Sequence, residues 1–169
     1  MGKRNFLIEG GSGTGKTAVC DELARRGYHS IHGDRELAYQ GDPITGAPVT
    51  GITDVAAHDH HLWRVEKVRA LTADRSTDVT FFCGGSRNVH SFLDVFDGIF
   101  VLNVDAETLT HRLDQRPGAE WGGLGRHAER ELIMRLHADR TEVSRMDVMI
   151  NATAPLSVVV DEILTLSKA

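Results

Sequence analysis

The chain is poor in cysteine, has no excess of positive charge and contains no long apolar run. Cys20 and Cys83 are its only cysteines in 169 residues. Neither has metal-ligand spacing, and two isolated thiols suit a reducing compartment. Lys and Arg number 19 against 24 Asp and Glu, a formal net charge of -5. Contact with a polynucleotide needs a basic field, so no nucleic-acid partner is expected. A small phosphorylated substrate stays open, because a few local arginines can hold one. No stretch approaches the roughly 20 apolar residues of a membrane helix. Glu9 and the glycines after it end the first apolar stretch too early for a signal peptide, and Phe6 stands where a myristoylation signal wants Ser or Thr. A cytoplasmic location with no membrane partner is the expectation.

What is present is ordinary globular composition, 41% hydrophobic and 25% charged. The length fits one domain, residues 1–169, with a full-sized core. Strand-like and helix-like patterns alternate. Phe6-Leu7-Ile8 reads as a strand, Lys16 to Arg26 as a helix closed by Gly27, and Tyr28 to His32 as a second strand. Arg35 to Thr53, with its "QGDPITGAPVTG", reads as a loop with at most a short helix. Asp54 to Asp74 reads as one helix, with Val55, Leu62, Val65, Val68 and Leu71 near one face. "DVTFFCGG" supplies a third strand, almost entirely apolar from Val79 to Cys83, as a strand buried on both faces should be. A short helix over Asn88 to Phe96 and a strand in "GIFVLNVD" follow. Helices over Ala106 to Gln115 and Ala128 to Arg140, a strand over Val148 to Ile150 and a closing helix over Leu156 to Leu166 complete the pattern. The alternation predicts an α/β fold in three layers, a central five-stranded parallel sheet with helices on both faces. No repeat, low-complexity tract or linker interrupts it.

Gly10 to Thr17 reads G-x-x-x-x-G-K-T between the first strand and the first helix. Glycine permits backbone angles closed to other residues and lets successive amide N–H groups converge. With the positive end of the following helix they form a cradle for phosphate, built here from Gly11, Ser12, Gly13, Thr14, Gly15, Lys16, Thr17 and Ala18. Lys16 can reach the outer phosphates, and the Thr17 hydroxyl can ligate Mg²⁺. The bland alternative is a glycine-rich connector with a chance lysine. The strand before and the helix after favour nucleoside triphosphate binding.

With that loop in place, the chain resembles the small P-loop kinases: adenylate and other nucleoside-phosphate kinases, shikimate kinase and gluconate kinase. Three further stretches carry the resemblance. "CGGSRN" follows the third strand where nucleoside monophosphate kinases have Gly-Phe-Pro-Arg and shikimate kinases a glycine triplet, so Gly84, Gly85 and Arg87 are implied to bind the acceptor. "LTHRLDQRPG" places Arg112 and Arg116 like the arginine pair opening the lid of adenylate kinases. "ERELIMRLH" looks like the returning lid helix, with Arg135 at its catalytic arginine and Arg126 and Arg130 nearby. The implied lid spans about 116–127, and Pro117 to Gly125 within it should be mobile without nucleotide.

Asp34 lies just beyond the second strand, where ligands gather in open α/β sheets. It resembles the aspartate that binds the accepting hydroxyl or a metal water; its other reading is an N-cap for a helix starting at Arg35. No acidic residue ends the third strand, where many P-loop enzymes keep a Mg²⁺-ordering Asp, so Asp34 is the best second contact for the metal after Thr17. "NATAP", Asn151 to Pro155, occupies the place where the group wraps adenine with backbone. In "HDHH", His58, His60 and His61 fall on different faces of the expected helix and do not converge on one ion. A helix surface near the acceptor is the reading there.

The resemblance implies an ATP- and Mg²⁺-dependent kinase of a small-molecule acceptor, with Lys16, Asp34, Arg116 and Arg135 catalytic. A nucleoside or nucleoside monophosphate is the favoured acceptor. Arg87 favours a phosphate acceptor and Asp34 a hydroxyl. The alternatives are a kinase of shikimate or a sugar acid, and a regulatory NTPase that transfers phosphate only to water. A monomer and a dimer both remain open.

Overall fold

The structure, a computed structural model, describes residues 3–118, 126–139 and 147–168. Five strands, β1 (Arg4–Gly10), β2 (His29–His32), β5 (Val79–Cys83), β6 (Gly98–Asn103) and β7 (Asp147–Asn151), form one sheet in the order β2-β5-β1-β6-β7. Every pairing in it is parallel. Parallel neighbours need crossovers, and α1 (Lys16–Arg25), α4 (Val65–Ala73), α5 (Ala106–Gln115) and α6 (Arg126–Ala138) lie in them, while α7 (Leu156–Leu166) follows the last strand. The expected five-stranded parallel architecture is what the chain adopts.

The three central strands are apolar on both faces, and their alternation divides the core in two. Phe6 and Ile8, Phe81 and Cys83, and Phe100 and Leu102 face one cluster with Val19, Cys20 and Leu23 of α1. Leu109 and Leu113 of α5 and Val160 and Ile163 of α7 close that cluster. Leu7, Phe82, Ile99 and Val101 face the other, with Leu37, Trp63, Val68, Phe92 and Phe96. A period of two along each strand is what puts successive residues into different layers. Fully burying each such side chain is worth about 1.5–3 kcal/mol, so these positions dominate stability.

The region between β2 and β5 differs from the expectation. Asp54 to Asp74 is not one helix. It divides into α3 (Asp54–Asp59), a strand β4 (His61–Trp63) and α4. The expected loop over Arg35 to Thr53 contains the partner strand β3 (Ala38–Gln40), which pairs antiparallel with β4. Leu62 and Val65 fit a helical stripe, which is why the sequence reads as continuous. Tertiary packing of Trp63 wins: its indole is buried and stacked on Phe92, centroids 5.9 Å apart and planes 3° apart. The Asn88 amide fixes the strand by accepting from Trp63 N at 3.0 Å and donating to Trp63 O at 2.9 Å. The expected helix over Asn88 to Phe96 is instead two 3₁₀ turns, Val89–Ser91 and Leu93–Val95.

Candidate active site

β1 ends at the centre of the sheet, and the glycine turn leaves from its carboxyl end, the edge where ligands bind in open α/β sheets. Gly13 and Gly15 have φ of 83° and 102°, in the left-handed region that a side chain makes costly. Gly15 caps α1, so the free amide groups of a ten-residue helix open onto the turn. Thr14 is buried, its hydroxyl donating to Gly11 O at 2.7 Å, and a Cβ on Gly10 would come within 2.5 Å of that oxygen. Lys16 folds back over the loop, Nζ donating to Gly10 O at 2.7 Å and Gly11 O at 3.0 Å. Ser12, Thr17 and Ala18 are exposed on the turn and the first turn of α1.

Of the five lid arginines, Arg112 and Arg116 reach this loop. Arg116 donates to Ser12 Oγ at 3.0 Å. Arg112 donates to the carbonyls of Gly13 at 3.3 Å and Thr14 at 3.0 Å, and through its other terminal nitrogen to Ala152 O at 2.7 Å. Arg112 therefore ties the phosphate loop to "NATAP". Between those two segments lies a cavity of about 280 Å³ lined by Ala18, Val19, Ala152, Ala154, Leu156 and Val159. Arg130 is held by Asp114 at 3.0 Å, and Arg135 is exposed on α6. Residues 119–125, most of the expected lid, lie outside the described residues.

Across the loop from that cavity stands Asp34. Helix α2 (Gly33–Glu36) begins two residues earlier than an Asp34 cap would require, and His32 takes the cap position. The carboxylate is thereby released for tertiary contacts. Its Oδ1 accepts from Gly85 N at 3.4 Å and meets His61 Nε2 at 3.1 Å. Partial burial pushes its pKa up, but the His61 hydrogen bond, the charges of His61 and Lys16 and the Gly85 amide outweigh this and hold it below the usual range. Asp34 and Lys16 thus share one electrostatic neighbourhood.

Gly84 and Gly85 form the adjoining wall. A Cβ on Gly84 would lie 2.7 Å from the Trp63 ring and 2.8 Å from Asp34 Oδ1; one on Gly33 would lie 2.0 Å from the same ring. Arg87 faces Asp59, with Nη2 to Oδ1 at 3.1 Å and 47% of its side chain exposed. Trp63 Nε1 and Ser86 Oγ, two polar atoms of this wall, are buried with no hydrogen-bond partner among the described residues.

Two residues here escape sequence reasoning. His61 was expected on a helix surface; it lies on β4 and contacts Asp34, while His60 caps α3 and bonds Gly41 O at 3.0 Å. Glu9, next to last in β1, lies beside Gly85, where an added Cβ would be 4.0 Å from Glu9 Cγ. An acidic residue terminating an apolar strand at the glycine turn was the available signal.

No protein-family model matches the chain, and neither does any curated protein. Solved structures do. A shikimate kinase from Bacteroides thetaiotaomicron is similar at TM-score 0.61 and 16% identity, covering 98% of this chain and 99% of that one. A gluconokinase from Sinorhizobium meliloti 1021 gives 0.57 and 19%, covering 98% and 92%. A thymidylate kinase from Candida albicans gives 0.59 and 12%, covering 98% and 91%. The chain has the fold of the small P-loop kinases over essentially its whole length.

Proposed function

We propose that this protein is an ATP- and Mg²⁺-dependent kinase that phosphorylates a hydroxyl of a small polar molecule. One observation carries the reading: a carboxylate, Asp34, held by Gly85 and His61 in the same electrostatic neighbourhood as the phosphate-loop lysine. The Glu9 side chain runs along the same wall, its Cγ 4.0 Å from where a Gly85 Cβ would lie. An ionised Asp34 repels an anionic acceptor and suits a hydroxyl that must lose a proton. The acceptors for which the structural neighbours are named, gluconate, shikimate and thymidylate, span both chemistries.

The residues fit the donor. The positive φ of Gly13 and Gly15 and the free end of α1 supply converging amides, and the 280 Å³ cavity offers apolar walls for a base. Lys16 and Arg116 place positive charge where a transferring phosphoryl group spreads its own. Thr17 and Asp34 are the residues that would hold Mg²⁺, which neutralises charge on the phosphates. Asp34 orients the acceptor hydroxyl and takes its proton as the oxygen bonds to phosphorus and the bond to the leaving bridging oxygen breaks. Arg112 keeps the loop and the base cavity in register, and Arg135 would act only from a closed lid.

A phosphate acceptor, the second reading, is favoured by Arg87 alone, whose one ion pair to Asp59 is half-exposed and weak enough to exchange. Turnover of ATP against nucleosides, nucleoside monophosphates, shikimate and gluconate tests both. Acceptor-dependent ADP release supports a kinase; equal release with and without acceptor overturns it in favour of a hydrolase.

A further inference from the structure

The β3–β4 hairpin lies between β2 and β5 in the chain, and it brings the His61 imidazole to the site. Side chains alternate along a strand, so His61 and Trp63 share a face of β4. Trp63 is clamped by Asn88, stacked on Phe92 and seated against Gly33 and Gly84. That seat fixes where His61 points. Its backbone is fixed as well, His61 O accepting from Arg87 N at 2.9 Å. The imidazole meets Asp34 from across 27 residues of sequence.

We propose that His61 is the positioning residue of Asp34: by bonding Oδ1 through Nε2, it holds the carboxylate in one orientation and leaves Oδ2 for the acceptor. This inference rests on the role of Asp34 argued above. A neutral Nε2–H tautomer can make the bond without a charge on the ring, and an imidazolium can make it with one. In either form His61 favours the ionised carboxylate, which a proton acceptor must be. Oδ1 is also the atom that Gly85 approaches, so both donors converge on one oxygen and the other stays unassigned.

Other charges face the pair. Lys16 on α1 and Cys83 on β5 stand near Asp34, Glu9 on β1 lies beside Gly85, and Arg35 and Glu36 lie on α2 itself. Behind His61 stand His58, Asp59 and Arg87. Lys16 and the Gly85 amide favour ionised Asp34 beside His61.

The test uses wild type, His61→Ala and His61→Gln as full chains turning over ATP with the acceptor panel, and the Trp63 indole resonance reports that the hairpin is intact. With Trp63 unmoved, kcat should fall on the order of tenfold to a hundredfold in His61→Ala with acceptor KM little changed, and His61→Gln, which keeps a donor at nearly the same reach, should restore most of it. Unchanged kcat in His61→Ala, while Asp34→Asn lowers it, overturns the positioning role and leaves that of Asp34 standing. Unchanged kcat in Asp34→Asn defeats the proposed role of Asp34. The two failures are therefore distinguishable.

Discussion

Arg112 donates a 2.7 Å hydrogen bond to the carbonyl of Ala152, while its other terminal nitrogen holds Gly13 and Thr14. One guanidinium joins the phosphate loop to the segment after β7. Arg112→Lys keeps the charge but presents a compact ammonium that cannot fork to two segments. Hydrogen bonds from a charged donor are worth about 1.5–3 kcal/mol, so Arg112→Ala should lower stability by roughly that amount. Calorimetric titration with a non-hydrolysable ATP analogue should show weaker binding in both variants. Unchanged affinity in Arg112→Lys would mean that the loop keeps its shape unaided.

Asp34 and Arg87 separate the two acceptor chemistries. For a hydroxyl acceptor, Asp34→Asn should lower kcat by about a hundredfold or more with little change in acceptor KM, since general-base contributions run to that size. Arg87→Ala should then cost little. The reverse pattern, a large rise in acceptor KM in Arg87→Ala, would assign the site to a phosphate. Glu9→Gln belongs in the same series, because a fall comparable to Asp34→Asn would move the proton-accepting role to Glu9.

Gly33→Ala tests the seat of the hairpin. The added Cβ would lie 2.0 Å from the Trp63 ring, too close to be absorbed without moving the indole. Overpacking of this kind costs typically about 1–3 kcal/mol, and displacement of Trp63 carries His61 away from Asp34. Chemical unfolding should show the loss of stability, and kinetics a fall in kcat beyond it. A variant that unfolds normally and turns over normally would show that the hairpin position is unrelated to the site.

Much of this was legible in the sequence. The runs Phe6-Leu7-Ile8, Val79 to Cys83 and Ile99 to Leu102 announce strands buried on both faces, and Lys16 with its glycines announces the phosphate loop. The acceptor side was harder. β3 and β4 are three residues each, too short to show a period of two, and Leu62 fits a helical stripe equally well. The contact of His61 with Asp34 depends on where that hairpin folds, and nothing local in either segment encodes it. Arg112 was legible as an arginine near nucleotide, but its engagement with three backbone carbonyls depends on the docking of α5.

Acid should destabilise the fold through its paired carboxylates. Hydrogen bonds from Arg25 and Arg26 hold Glu22 at about 2, below its ordinary 4.5. Arg69 lowers Asp94 in the same way, and the Thr108 amide lowers Asp105. A carboxyl whose pKa is lower in the folded chain stabilises it at neutral pH, and that contribution is lost as pH falls towards the folded value. The unfolding midpoint should therefore drop steadily between about pH 5 and pH 2. A midpoint that is flat over that window would show these pairs to be equally formed in the unfolded chain.

The most direct measurement is phosphorus NMR of the wild-type protein turning over ATP and Mg²⁺ with the acceptor panel, beside Lys16→Ala as a folded control. The account predicts a new phosphate-monoester resonance without phosphorus–phosphorus coupling, formed as ADP appears. In Lys16→Ala its rate should fall by about a hundredfold or more, the scale of one lost transition-state contact. A second coupled phosphoanhydride product beside ADP would contradict the hydroxyl acceptor. Inorganic phosphate as the sole product with every acceptor, or full turnover in Lys16→Ala, would contradict the kinase itself.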